Sequence, residues 1–141
     1  MRTLLAIWAA KLASVAGILV GRKSSSTPGS IALKLCPALI STLSKKLRKG
    51  VIVTCGTNGK TTTCRMVEQL MRENGVSCFA NRGGANLMQG IATEFAMHAS
   101  LTGKLREEYA VIECDEGAIA QVCPRVNPAA VLVTNLFSDQ L

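Results

Sequence analysis

The segment that most constrains this chain is Val51-Ile52-Val53-Thr54-Cys55-Gly56-Thr57-Asn58-Gly59-Lys60-Thr61-Thr62-Thr63. A short β-branched run enters a turn with two glycines, and a helix-forming stretch begins at the lysine. Such a turn leaves backbone N–H groups unpaired and aimed at one point, with the positive end of a helix dipole behind them. Anionic phosphate suits that point. Gly56 and Gly59 permit close approach and unusual dihedrals. Lys60 would reach the β- and γ-phosphates of a nucleoside triphosphate, and the Thr61 hydroxyl would hold Mg²⁺. The eight-residue pattern G-x-x-x-x-G-K-[ST] is not met in full, because its first glycine falls on Thr54. The strand before and the helix after nevertheless supply the context the motif requires.

A strand feeding a helix in this way belongs to an α/β layer architecture, and the downstream pattern agrees. Strands are expected at 51–54, 76–80, 109–114 and 129–134, with helices at 60–73, 87–99 and 117–123 between them. This alternation implies a mostly parallel sheet with helices on both faces. Upstream, residues 22–30 read as a polar linker, 30–35 as a short helix, and 38–49 as a helix turning Leu39, Leu43 and Leu47 inward. Gly50 is expected to stop that helix, whose basic last turn suits the negative end of its dipole. The chain divides into a basic helical segment, 1–49, and a nucleotide-binding unit, 50–141. The latter ends just after a strand, so a longer protein is expected.

Residues 3–20 are apolar apart from Thr3, Lys11 and Ser14. Lys11 interrupts the run, which argues against both a signal peptide and a membrane span. At helical spacing Leu5, Trp8, Leu12, Val15 and Leu19 form one seam. This is read as an amphipathic helix that packs on its own protein or lies on an anionic membrane surface.

Charge is unevenly placed along the chain. The formal net charge is +7, yet residues 1–49 hold nine basic side chains and no acid, while all nine acids lie from Glu68 onward. Either a solvated basic face or an anionic contact explains this, namely a membrane or a phosphorylated ligand. Nucleic acid ranks last, since no aromatics interleave with the basic residues. The six cysteines form no C-x-x-C pair, which suggests free thiols in a reducing cytoplasm rather than a metal cluster.

Three further segments fall at the carboxyl ends of expected strands, where ligands of parallel sheets bind. Glu113-Cys114-Asp115-Glu116 supplies carboxylates, of which Glu113 is best aligned to complete a Mg²⁺ shell. Thr134-Asn135-Leu136-Phe137-Ser138-Asp139 offers nucleotide or metal contacts through Asn135 and Asp139, or simply a capped turn. In the loop Asn81 to Asn86, Gly83-Gly84 allows close approach, while Asn81, Arg82 and Asn86 are donors. Turn chemistry alone also accounts for those glycines.

Together these segments resemble the central ATP-binding domain of the Mur ligase family. The shortened loop GTNGKTT, at Gly56 to Thr62, is that family's form and accounts for the missing first glycine. NRGGANLMQGIATEF (81–95), ECDEGA (113–118) and VTNLFSDQL (133–141) resemble a branch of ligase-like subunits that act with a GatD-type glutaminase. The resemblance implies phosphate binding by Gly56, Thr57, Asn58, Gly59, Lys60, Thr61 and Thr62. It also implies a catalytic role for Lys60 and nucleotide contacts from Asn86 and Asn135. Mg²⁺ would be held by Thr61 and Glu113, with a weaker contribution from Asp139. Gln140 stands where many members carry a metal-binding His.

The implied reaction is ATP-dependent amidation of the α-carboxyl of D-glutamate in lipid II to D-isoglutamine, through an acyl phosphate. The partner glutaminase would supply the ammonia. A zinc ribbon belonging to that branch is expected outside these 141 residues and not on any of the six cysteines. The alternatives are another Mur-type ligase, adding an amino acid to a peptidoglycan precursor or glutamate to folate, or a nucleotide-binding module without chemistry. The site of action would be cytoplasmic, at the inner face of the membrane if the first helix docks there.

Overall fold

The computed structural model describes residues 1–19, 21, 26–81 and 85–135. Three helices come first: α1 (Arg2–Leu19), α2 (Thr27–Leu35) and α3 (Leu39–Ser44). Then β1 (Gly50–Cys55), α4 (Lys60–Glu73), β2 (Cys78–Ala80), α5 (Met88–His98), β3 (Tyr109–Glu113), α6 (Glu116–Val126) and β4 (Ala130–Val133) alternate, as the sequence pattern requires. The four strands are parallel, in the order β2-β3-β1-β4.

Connectivity decides which face each helix covers. The chain leaves β1 in one direction across the sheet to reach β2, then returns through β3 to β4. Right-handed crossovers therefore put α4 on one face and α5 and α6 on the other. The strand residues divide accordingly. Val51, Val53, Phe79, Ala110 and Ile112, with Cys114 just past β3, join one core with α1, α2, α3, α5 and α6. Cys78, Ala80 and Val111 join a thinner one with Cys64, Val67 and Met71 of α4. Alternate residues of a strand point to opposite faces, so both cores are written into the same short runs.

The N-terminal helices differ from expectation in three ways. α1 packs through Ala6, Ile7 and Ala10, while Leu5, Trp8, Leu12, Val15 and Leu19 lie exposed. The small side chains let α1 lie close to α2 and α5, and Lys11 Nζ donates to Met97 O at 2.8 Å. α2 begins at Thr27, not Ser30, because Pro28 is tolerated in a first turn and Gly29 fits tightly against α5. A Cβ on Gly29 would stand 1.8 Å from Gln89 O.

The expected helix 38–49 ends at Ser44. Tight turns follow, with Lys46 N donating to Leu43 O and Leu47 N to Ser44 O. These turns bury Leu47, bring Lys46 Nζ to Gly103 O at 2.8 Å, and start the sheet at Gly50. Leu39, Leu43 and Leu47 are all buried as expected. At the edges of the other elements, β2 is shorter than expected and α6 longer, ending at Val126 and capped by Asn127 in the left-handed region.

Candidate functional site

β1 delivers its last residue, Cys55, directly to the glycine turn. Gly56 takes φ 128° and Gly59 φ 82°, both in the region that side chains disfavour. A Cβ at Gly56 would lie 2.3 Å from Thr134 Oγ1 and 2.7 Å from Asn135 O, so the loop and the segment after β4 touch backbone to backbone. Gly59 caps α4, and the Lys60–Thr63 turn presents its amino end to the loop. A glycine turn set against a helix amino end is a geometry suited to an anion.

The Lys60 side chain folds back over that turn. Its Nζ donates to Gly56 O at 2.6 Å and to Thr57 O at 3.2 Å, and lies 3.9 Å from Asp115 Oδ1. Thr57 Oγ1 donates to Glu116 Oε1 at 2.6 Å. The loop is held from its other side by the segment after β4. Asn58 N donates to Asn135 Oδ1 at 2.9 Å, and Thr134 Oγ1 donates to Asn58 O at 2.6 Å. On the first turn of α4, Thr61 Oγ1 donates to Glu113 Oε1 at 3.0 Å.

The glycine turn, Glu113, Asp115, Glu116 and Asn135 thus meet at the carboxyl edge of the sheet. Thr62 is exposed on the first turn of α4. Asn86 is tied to the same edge through its backbone, with Asp115 N donating to its carbonyl at 3.1 Å. Arg82, Gly83, Gly84, Asp139 and Gln140 lie outside the described residues. Thr134 opens one of the segments singled out in the sequence but carries no expected role there, although its hydroxyl donates to Asn58 O and lies close against Gly56. A threonine after a strand looks like any turn residue until the fold brings it to Gly56.

The donor set suits a hard divalent cation. A hydroxyl and a carboxylate already meet at 3.0 Å beside the loop, and such ions take oxygen ligands, the remainder coming from water and phosphate. Thr54 Oγ1, one residue before Cys55, is buried with no hydrogen-bond partner among the described residues. The nearby thiols belong to a different chemistry. Burial, followed by the charges of neighbouring groups, raises Cys55 and lifts Cys114 to about 12, while burial alone raises Cys123. All three stand as neutral thiols at neutral pH, without the thiolate a nucleophile needs.

Comparison with known proteins follows the same lines. Residues 53–141 match the family described as the Mur ligase middle domain. The chain is 37% identical over 141 residues to the MurT subunit of lipid II isoglutaminyl synthase (glutamine-hydrolyzing) from Staphylococcus aureus (strain COL), covering 100% of this chain and 31% of that protein. It is 33% identical over 141 residues to the same-named subunit of Streptococcus pneumoniae (strain ATCC BAA-255 / R6), covering 92% of this chain and 30% of that protein. The chain therefore spans less than a third of the length of these curated relatives. Among solved structures, the MurF ligase of Thermotoga maritima in complex with ADP aligns at TM-score 0.56 and 25% identity, over 72% of this chain and 24% of that one. A parallel α/β sheet carrying the glycine turn, and a family match over residues 53–141, establish that this chain belongs to the Mur ligase family through its middle domain.

Proposed function

We propose that this chain supplies part of the ATP-binding domain of a ligase subunit that amidates lipid II, with ammonia from a GatD-type glutaminase. The observation that carries the proposal is the meeting of Lys60, Thr61 and Glu113 around the glycine turn. The 37% identity to a MurT subunit over all 141 residues supports the choice of substrate.

In the proposed reaction, an α-carboxylate oxygen of D-glutamate attacks the γ-phosphorus of ATP, the bond to ADP breaks, and an acyl phosphate forms. Ammonia then attacks the carbonyl carbon, phosphate leaves, and the nitrogen loses a proton to give the amide. Gly56 to Thr62 bind and orient the phosphates through their amides. Lys60 exchanges its loop carbonyls for phosphate oxygens and offsets the charge that grows there. Thr61 and Glu113 would hold Mg²⁺, which when bound neutralises charge on the phosphates. Asn135 braces the loop from the far side, and Asn86 and Asp139 are proposed as further nucleotide and metal contacts.

The same proposal divides the chain into a helical segment, 1–49, and the nucleotide-binding unit, 50–141. It places the protein in the cytoplasm, with the exposed face of α1 against the inner surface of an anionic membrane. In support, Leu5, Trp8, Leu12, Val15, Ile18 and Leu19 are exposed within a segment of nine basic residues and no acid.

The test is ATP turnover by the complete gene product with its glutaminase and lipid II. Hydrolysis should require ammonia or glutamine and fall by at least about a hundredfold in Lys60→Ala, the scale of losing a transition-state donor. Turnover that responds to an amino acid and not to ammonia would identify an amino-acid-adding ligase instead. Nucleotide binding without turnover under either condition would leave a binding module.

A further inference from the structure

β2 ends at Ala80, paired with Val111, while β3 runs on for two more residues to Glu113. In a parallel ladder, the N–H and C=O of one residue point to the same side, and those of its neighbours to the other. Cys114 N donates to Thr54 O on the β1 side, so Glu113 turns both of its backbone groups toward β2, where the strand has stopped. Glu113 is 7% exposed, and at that depth two backbone groups without partners would be strongly unfavourable.

The Asn81 side chain fills the gap. Glu113 N donates to Asn81 Oδ1 at 2.7 Å, and Asn81 Nδ2 donates to Glu113 O at 2.7 Å. The second Nδ2 hydrogen goes to Ala85 O, also at 2.7 Å. Only one orientation of the carboxamide satisfies an N–H on one side and two carbonyls on the other, so its assignment is unambiguous. Asn81 is 5% exposed and acts as one more rung of the β2–β3 ladder, made from a side chain.

No other short residue offers a donor and an acceptor side by side. Aspartate would set an acceptor against Glu113 O and add a charge beside the Glu113 carboxylate. Serine or alanine would leave at least one backbone group orphaned.

We propose that Asn81 is a positioning residue for the metal site: by clamping the backbone of Glu113, it fixes the carboxylate at 3.0 Å from Thr61 Oγ1. This rests on the reading of Thr61 and Glu113 as Mg²⁺ ligands, and the following experiment separates the two claims.

In the complete gene product, Mg²⁺ is titrated at fixed ATP and nucleotide binding is followed by calorimetry, with binding in EDTA as the metal-free control. Asn81→Ser should raise the half-saturating Mg²⁺ concentration roughly tenfold, as loss of a group orienting a ligand does, and leave binding in EDTA unchanged. Glu113→Gln should raise it as well, and the double variant should be no worse than Glu113→Gln alone, because Asn81 acts through Glu113.

An unchanged Mg²⁺ dependence in Asn81→Ser, with a raised one in Glu113→Gln, overturns the role of Asn81 and leaves the metal site standing. Additive losses in the double variant also overturn it. No effect from Glu113→Gln removes the metal site itself, and this inference with it. If Asn81→Ser does not fold, Asn81→Gln, which keeps both groups on a longer stem, takes its place. Failure of both to fold makes Asn81 a purely structural residue and refutes the proposal.

Discussion

Gly56 combines a φ of 128° with a Cβ position only 2.3 Å from Thr134 Oγ1, so any side chain there meets both backbone strain and a collision. Gly56→Ala should cost about 1–3 kcal/mol of stability. It should also shrink the rise in melting temperature that MgATP produces, as measured by paired thermal scans with and without nucleotide. Glu107 offers a test by pH. Burial works to raise its pKa, but the His98 hydrogen bond and backbone amides outweigh burial and hold it below its ordinary 4.5. The folded carboxylate therefore adds stability above pH 4.5 that is lost as pH falls through its lowered value. Glu107→Gln should melt below the parent at neutral pH, and the gap should close in acid. Asn81 marks the limit of residue-level reading: its partner Glu113 lies 32 positions away, so no local pattern reveals the clamp.

At the scale of elements, β1 and α4 are legible because the glycine turn and the change from period 2 to period 3.6 fall within one short window. α1 is not, because it is apolar nearly all round. A periodic seam of Leu, Trp and Val cannot say which of two apolar faces turns inward. Close packing against α2 and α5 selects the small face of Ala6 and Ala10. The large outer face is then available to another surface. The complete gene product should co-sediment with vesicles rich in anionic lipid, and added salt should release it. Replacing Leu12 and Val15 by Ser should weaken that binding without disturbing nucleotide affinity. Indifference to lipid charge would instead assign the face to protein packing. The early end of α3 escaped the pattern for a different reason. Leu47 is buried either way, and only the distant Gly103 and Glu108 show why the turns win.

Among the described residues the molecule is lopsided about its sheet, with five helices on the side of one face and α4 alone on the other. The α/β class, the parallel sheet and the carboxyl edge bearing the site follow from the alternating pattern, whereas the strand order β2-β3-β1-β4 does not. Nor does the thickness of each layer, since it depends on where α1 to α3 dock. Phe79 sits in the thick layer, edge-on to Phe95 at 5.3 Å between centroids and stacked on His98 at 4.3 Å. Phe79→Ala should cost about 3–5 kcal/mol in denaturant unfolding.

The brace that Thr134 and Asn135 place on Asn58 spans 76 and 77 positions of sequence. The loop can be synthesised, and its helix wound, long before that brace exists. During refolding, pulse-labelled exchange should show the Asn58 amide gaining protection no earlier than that of Thr134, so the braced form of the loop matures among the last features of the domain.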